Sequence, residues 1–590
     1  MKTISPASLH IVNSLPPVAK RGDKISIDSE FFGQDKERLH RPHGTFAWLG
    51  CSFDGDTIYY ITDESLVQEF FDRLDAGVWI FHHAKYDITQ LRPYADIPSR
   101  ALLWDTMLIE QIRYSGYYSD FSLADLSRRY LQIYMPKDVR KQFGDAESLT
   151  REHIEYAAVD VAITHRVYQC QRQQIDADDL SLWKGIELPF FWELLITDGM
   201  PINRIEWMAL YTEHEIKASA VQIKYMENPE ILESMTMKQA KDRKLFSGIN
   251  LGSWQQVGKE LKRLKIDTKS TQEDDLKPYI GNEFVDDVLE YRGYMKLYGT
   301  YGKNWIDDGL IETDDKVYSN FHQIGASTGR ISSSNPNVEN IPVRDTPRFR
   351  EMFTSGDPDW ILVDADWSSQ EPRIAAYLSQ DSKMIDIFQT HQDVYIAAAR
   401  LMFGWELTKS DSRRNKRMKP TVLGACYGLT EHGMLRKDGI PLEEGKTLLD
   451  TFFSTFTGMS AWKDRQRSID DYVTTVYGRK FWLNPYNWQS ANNALNSPVQ
   501  GSGGDGLKIA TSAFMKEVRK AGYGDSVKII NYIHDEILVI CKKYVMDWTV
   551  TTLRNIMLSV AETMHEGIPA DVEIGVGSTW HDAHTNILKF

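Results

Sequence analysis

Two apolar runs that end in acidic residues constrain this chain more than any other feature. In DWILVDADWSS a buried-strand pattern runs into Asp366, and SVKIINYIHDEILVICKK (526–543) reads as two strands joined at a tight polar corner holding His534, Asp535 and Glu536. An acid at the end of a strongly apolar strand is costly unless something balances its charge. Set side by side, Asp366 and Asp535 would form a site for two cations of the kind that supports phosphoryl transfer. The chain has 590 residues, too many for one hydrophobic core, so these strands belong to one of several domains.

Hydrophobic residues make up 42% of the chain, as expected of a globular protein. No run reaches the ~20 apolar residues that span a bilayer, so no membrane role is expected. The first 23 residues lack a compact apolar signal core, and the four cysteines are far apart, which points to reduced thiols in a cytoplasm. The formal charge of −15 does not exclude a polyanionic partner, because nucleic acid is held by local basic surface. One basic cluster comprises Arg413, Arg414, Lys416, Arg417 and Lys419. A second comprises Lys238, Lys241, Arg243, Lys244, Lys259, Lys262, Arg263 and Lys265, and reads first as solvated helix faces.

Near the N-terminus, KISIDSEFF (24–32) and residues 57–62 read as strands and 152–172 as a helix, giving an α/β domain that ends near residue 175. In an extended strand Asp28 and Glu30 face the same side. Two carboxylates there repel each other unless cations lie between them. Asp87 follows an apolar segment in FHHAKYDITQL, and Tyr156 and Asp160 lie one helical turn apart in EYAAVDVAITHRVYQ. This DxE, Y-D and Y-x-x-x-D order resembles the proofreading 3′→5′ exonucleases of the DnaQ-like, ribonuclease H-like superfamily. The resemblance covers about residues 20–175 and includes DTMLIEQI and SLADLSRRYL. It implies that Asp28, Glu30, Asp87 and Asp160 hold two divalent metals and that Tyr156 orients the attacking water. His83 stands where the family usually has Asn.

The C-terminal two thirds carry a second set of motifs. Asn415, Lys419, Leu423 and Tyr427 recur every four residues and share a slowly drifting helix face. STGRISSSNPNVENIPVR (327–344), DADWSSQEPR (364–373), Lys419-x7-Tyr427-Gly428, NSPVQGSGGD (496–505), NYIHDEILV (531–539) and GSTWHDAH (577–584) follow in order. Together they resemble the polymerase I family (family A) of DNA polymerases over residues 185–590. By that resemblance Asp366 and Asp535 bind two Mg²⁺ ions, Mn²⁺ being a substitute, with a further ligand from the Trp367 backbone carbonyl. Glu536 adds a third catalytic acid. Lys419 contacts phosphate and serves as general acid, Glu371 blocks a ribose 2′-OH, and Tyr427 stacks near the templating base. Arg373 and Tyr395 join the nucleotide site, and Arg330, Asn496, Gln500 and His534 hold primer and template along the minor groove.

Several positions depart from the family pattern. Asn415 stands for an arginine, Leu423 for Phe or Tyr, Trp367 for Tyr, Tyr395 for a His and Asn492 for an Arg. Pro420 follows Lys419 directly, which predicts that the helix starts or bends there.

The expected fold class is α/β plus α+β: a ribonuclease H-like exonuclease domain (1–178), then a right-hand polymerase (179–590). The thumb is expected near 200–315, the palm near 316–385 and 480–590, and the fingers near 386–479. Expected partners are primer–template DNA, dNTPs and replisome accessory proteins, with the chain itself a monomer. The QEP form of the Asp366 motif and the lack of room for a 5′-nuclease domain resemble bacteriophage replicative polymerases, which would work in the host cytoplasm. A nuclease with a silent polymerase scaffold is disfavoured by Asp366, Lys419 and Asp535, and an RNA polymerase by Glu371.

Overall fold

The computed structural model describes residues 4–33, 40–99, 102–135, 146, 148–227, 248–302, 304–307, 309–341, 348–484 and 490–590. The N-terminal part is built on a six-stranded sheet: β1 (His10–Asn13), β2 (Lys24–Phe32), β3 (Thr45–Ser52), β4 (Thr57–Ile61), β5 (Val78–Phe81) and β6 (Leu102–Asp105), in the order β1-β4-β3-β2-β5-β6. β2 lies antiparallel to β3 and parallel to β5, and its period-two pattern buries Ile25, Ile27, Ser29 and Phe31 while Asp28 and Glu30 stay partly exposed. A register shift between Glu30 and Phe31 ends this alternation beside the two acids, a place where bulges commonly re-aim side chains.

The helix Arg151–Gln174 crosses this sheet and starts at a capping box in which the Thr150 side chain accepts from His153 N. Ala157, Ala158, Val161 and Ala162 bury its inner face against Trp48 and Ile58. Small side chains bring the helix close to the sheet, which places Asp160 beside Asp28 and Glu30 of β2.

The second sheet is antiparallel throughout. β7 (Trp360–Trp367), β8 (Val527–Ile533), β9 (Glu536–Lys542) and β10 (Val572–Gly577) run in the order β8-β9-β7-β10, with Asp366 directly opposite Glu536. β7 and β9 are the inner strands, so their apolar runs are buried on both sides of the ladder. The 31-residue helix Ser490–Lys520 and the helix Met546–Met564 contribute to the same core. Glycines let the longer helix approach its neighbours: a Cβ on Gly501 would lie 2.7 Å from the Thr328 carbonyl oxygen, and one on Gly504 3.2 Å from Arg330 Cα.

A smaller separate core joins the helices Arg204–Ile223, Trp254–Arg263 and Glu283–Tyr301 through Ala218, Val221, Val257, Leu261, Val285, Val288 and Tyr291. On the middle helix Lys259 and Lys262 are exposed and Arg263 pairs with Glu260, a solvated face; Lys238, Lys241, Arg243 and Lys244 lie outside the described residues.

A buried ionic cluster joins the turn Trp183–Glu187 to the long helix Ser490–Lys520 within the second part. Glu187, Arg479, Asp505 and Lys508 are all at most 2% exposed. Arg479 donates to Asp505 Oδ1 from Nε at 2.8 Å and from Nη2 at 2.6 Å, and also to Glu187. Lys508 Nζ donates to Glu187 Oε1 at 2.7 Å and to the Gly329 carbonyl at 2.8 Å. Burial opposes the charge on Glu187, but Lys508 and Arg479 outweigh it and hold the carboxyl below its usual range. Among the described residues no helix is long and apolar enough to cross a membrane.

Candidate active sites

In the first part Asp28, Glu30 and Asp160 converge, one ligand atom from each lying within 4.8 Å of the others. Such a group of like charges suits divalent cations. Asp87 is not in this group. It is buried, and its Oδ1 accepts from Ser29 N at 3.0 Å and from Ser29 Oγ at 2.7 Å, on the residue between the two β2 acids. Burial pushes its carboxyl up to about 7.

His83 is exposed and caps the helix Ala84–Leu91 in the left-handed conformation, φ 69°. Asn and His are the side chains that tolerate this region best, which explains the exchange. Asp105, from the DTMLIEQI segment, accepts N–H bonds from His83, Ala84, Met107 and Leu108 and so fixes two helix starts.

In the second part Asp366 at the end of β7 and Asp535 in the β8–β9 corner stand together. His534 makes the corner possible by taking φ 56°, and Trp367 N reaches the Asp535 carbonyl at 3.5 Å. The buried Asp366 Oδ1 has no hydrogen-bond partner among the described residues. Burial and the neighbouring Asp535 push the Asp366 carboxyl well above its usual range, and burial and Glu371 raise Asp535 to about 7. An orphaned carboxylate oxygen beside a second acid fits a cation held between them.

The Trp367 side chain points into the core, its Nε1 donating to the Met557 carbonyl at 3.0 Å. Glu536 is buried and turned toward the C-terminal helix: Oε1 accepts from Trp580 Nε1 at 2.9 Å, and Arg350 Nη1 stands 3.7 Å away. Glu536, Asp364 and His584 form a group of their own, with His584 Nδ1 3.0 Å from Asp364 Oδ2. Asp364, Arg350 and Trp580 were missed as neighbours of the site. The D-A-D spacing, which puts Asp364 and Asp366 on one face of β7, was the available signal.

The α-helix carrying Lys419 starts at that residue, as expected, with Pro420 in its first turn, but it is entered through a continuous π turn. Arg414–Met418 forms a π turn, in which Lys419 N bonds to the Arg414 carbonyl, and Lys419–Cys426 continues as α-helix. The wider turn accommodates the proline and brings Arg414 round toward Lys419. Arg414 donates to Asp393 and lies 5.0 Å from the centre of the Tyr395 ring, and Lys419 Nζ lies 5.9 Å from the same centre. Tyr395 thus gathers two cations from one helix. Asn415 is exposed and accepts from Arg414 Nη1 at 2.9 Å. The basic cluster is largely balanced: Arg413 pairs with Asp411, Arg414 with Asp393 and Arg417 with Glu444.

Arg330 meets both Glu371 (Nη2–Oε1 2.5 Å) and the Gln500 carbonyl (Nε–O 3.3 Å). Asn496 and Gln500 share the long helix one turn apart, and Tyr427 closes the Lys419 helix half-buried. Arg373 is not brought to this group. Its guanidinium is committed to the Ser368 carbonyl at 3.0 Å, to the Pro569 carbonyl, and to the Phe388 ring.

This architecture is a ribonuclease H-like exonuclease domain followed by a right-hand polymerase domain. It is shared with a solved structure, the POL domain of Pol1 from M. smegmatis in complex with DNA primer-template and dNTP: TM-score 0.77, 23% identity, covering 95% of this chain and 97% of that one. Residues 220–582 match the family model for DNA polymerase family A and residues 21–176 that for a 3′-5′ exonuclease. The chain belongs to DNA polymerase family A.

Among relatives, DNA polymerase I of Chloroflexus aurantiacus is 27% identical over 538 residues, 85% of this chain and 54% of that protein. DNA polymerase I of Pseudomonas aeruginosa is 27% identical over 535 residues, covering 85% and 56%. That of Aquifex aeolicus is 28% identical over 528 residues, covering 85% and 87%. The chain spans about half the length of the first two curated relatives.

Proposed function

We propose that the chain extends a DNA primer on a template from dNTPs and removes mispaired 3′ ends with a second active site. The observation that carries this reading is the pair of separate acid centres, Asp28/Glu30/Asp160 on the first sheet and Asp366/Asp535 on the second.

Asp366 and Asp535 would hold divalent cations, Mg²⁺ by preference, and Asp28, Glu30 and Asp160 would hold others with Asp87 as an outer partner. Bound there, such ions neutralise charge on the attacked phosphorus centre and its leaving oxygen. Lys419 supplies a fixed positive charge and a proton at Nζ for the departing pyrophosphate, with Arg414 beside it on the Tyr395 platform. Glu371 fills the space a 2′-OH would need. Tyr427 offers a face to the templating base, and Arg330, Asn496, Gln500 and His534 line the minor-groove side, where correct pairs present similar acceptors. At the other centre Tyr156 orients water toward the terminal phosphodiester. In this reading the thumb is about 200–315, the palm about 316–385 and 480–590, and the fingers about 386–479.

The narrower proposal is a genome-replicating bacteriophage enzyme, working as a monomer or with accessory proteins in its host's cytoplasm. It rests on the Gln370-Glu371-Pro372 form of the gate segment.

A labelled primer–template with Mg²⁺, with and without dNTPs, tests both activities. Extension is expected with dNTPs and 3′ shortening without them. Asp366→Ala should stop only extension, and the double change Asp28→Ala, Glu30→Ala only shortening. Extension by Asp366→Ala at the wild-type rate would overturn the polymerase assignment.

A further inference from the structure

Arg330 donates to Glu371 Oε1 at 2.5 Å. Both partners of that ion pair keep 16% of their side-chain surface exposed, so the pair is sheltered yet within reach of a bound nucleotide. Glu371 sits in the first turn of the helix Gln370–Ser379.

Arg330 is held on every side. It follows Gly329, whose φ of 89° only glycine adopts freely and where a Cβ would lie 2.5 Å from Arg479 Cδ. The Gly329 carbonyl is bonded to buried Lys508, the Arg330 carbonyl accepts from Gly325 N and Ala326 N at 3.1 Å each, and its Nε donates to the Gln500 carbonyl at 3.3 Å. A guanidinium carries five N–H groups, so Arg330 can hold Glu371 and Gln500 and still offer donors to DNA.

We propose that Arg330 is the positioning residue for sugar selection: it fixes the Glu371 carboxylate in the place where it blocks a ribose 2′-OH. This rests on the reading of Glu371 as the 2′-OH barrier given above. A ribonucleotide would then be admitted not only when Glu371 is shortened but also when its anchor is removed and the carboxylate swings away. Lysine cannot reproduce the arrangement, because its single ammonium lacks the planar fork that serves Gln500 and Glu371 together.

The test is single-turnover incorporation of dATP and rATP opposite thymine by the wild type and the Arg330→Lys, Arg330→Met, Glu371→Ala and Arg330→Met/Glu371→Ala variants. The readout is the ratio of kcat/KM for the two nucleotides, which general damage to DNA binding leaves unchanged. Loss of a charge-assisted bond predicts that Arg330→Met lowers this ratio by about tenfold or more, on top of a slower dATP reaction. Arg330→Lys should lower it less, and the double variant should show the ratio of Glu371→Ala alone. If Arg330→Met slows both nucleotides equally while Glu371→Ala loses discrimination, the anchor is refuted and the barrier stands. If Glu371→Ala keeps full discrimination, the barrier itself is wrong and the inference falls with it. Should Arg330→Met fail to fold, Arg330→Lys decides: an unchanged ratio in that variant refutes the anchor.

Discussion

Replacing Arg479 with methionine tests the buried ionic cluster that joins Glu187 to the helix Ser490–Lys520. The Arg479 side chain is 2% exposed and donates two bonds to Asp505 and one to Glu187. Once it is removed, Glu187 keeps Lys508 at 2.7 Å and Gln323, but Asp505 keeps only the Thr475 hydroxyl at 2.9 Å among the described contacts. Breaking a buried pair from one side strands a charge and costs about 3–5 kcal/mol. The volume change is small, so most of that cost is electrostatic.

Adding Asp505→Asn to Arg479→Met removes the stranded charge and should recover more than half of the loss. The two changes are therefore strongly non-additive. Urea unfolding followed by tryptophan fluorescence measures both variants against wild type, with attention to the transition that includes the helix Ser490–Lys520. The reasoning is refuted if Arg479→Met falls within about 1 kcal/mol of wild type, or if Asp505→Asn deepens the loss instead of relieving it.

Lys419→Ala should lower kcat for extension by about 10²-fold or more while primer shortening is unaffected, because a general acid contributes on that scale; pre-steady-state extension and a dNTP-free assay check the two halves. Arg414→Ala should raise KM for the incoming dNTP by about tenfold with a smaller effect on kcat, the mark of a charge-assisted contact made before chemistry. The check is steady-state incorporation at varied dNTP, and an unchanged KM would remove Arg414 from the site. Burial holds His565 neutral, lowered from 6.5 to about 4, with Nδ1 3.0 Å from the Ile568 carbonyl. The unfolded chain binds that proton first, so this stability is complete above pH 6.5 and is lost as pH falls through about 4. The loss is roughly 3 kcal/mol, and His565→Gln should flatten the acid limb of a urea-unfolding series.

Much of both centres was legible in the linear chain because the signals are local. Period-two burial in KISIDSEFF places Asp28 and Glu30 together, a four-residue spacing places Tyr156 and Asp160 on one helix face, and two apolar runs ending in Asp366 and beside Asp535 announce neighbouring strands of one sheet. Strand and helix periods are properties of neighbouring residues, so they need no knowledge of the fold.

What tertiary structure alone decided concerns partners far apart in sequence. Glu536 faces Asp366 across the ladder and its charge helps raise that carboxyl, but its hydrogen bond goes to Trp580 and it groups with Asp364 and His584. Arg373 looked like a nucleotide contact, but carbonyls at Ser368 and Pro569 claim its guanidinium. Pro420 marked the start of the α-helix at Lys419, but only the fold supplied the π turn before it that brings Arg414 beside Lys419. The clearest case is Glu187, whose partner Lys508 is 321 residues away. The chain itself determined which side chains share a strand or helix face. Only folding decided which charges neutralise one another, because burial and distance set that balance and neither is written in local spacing.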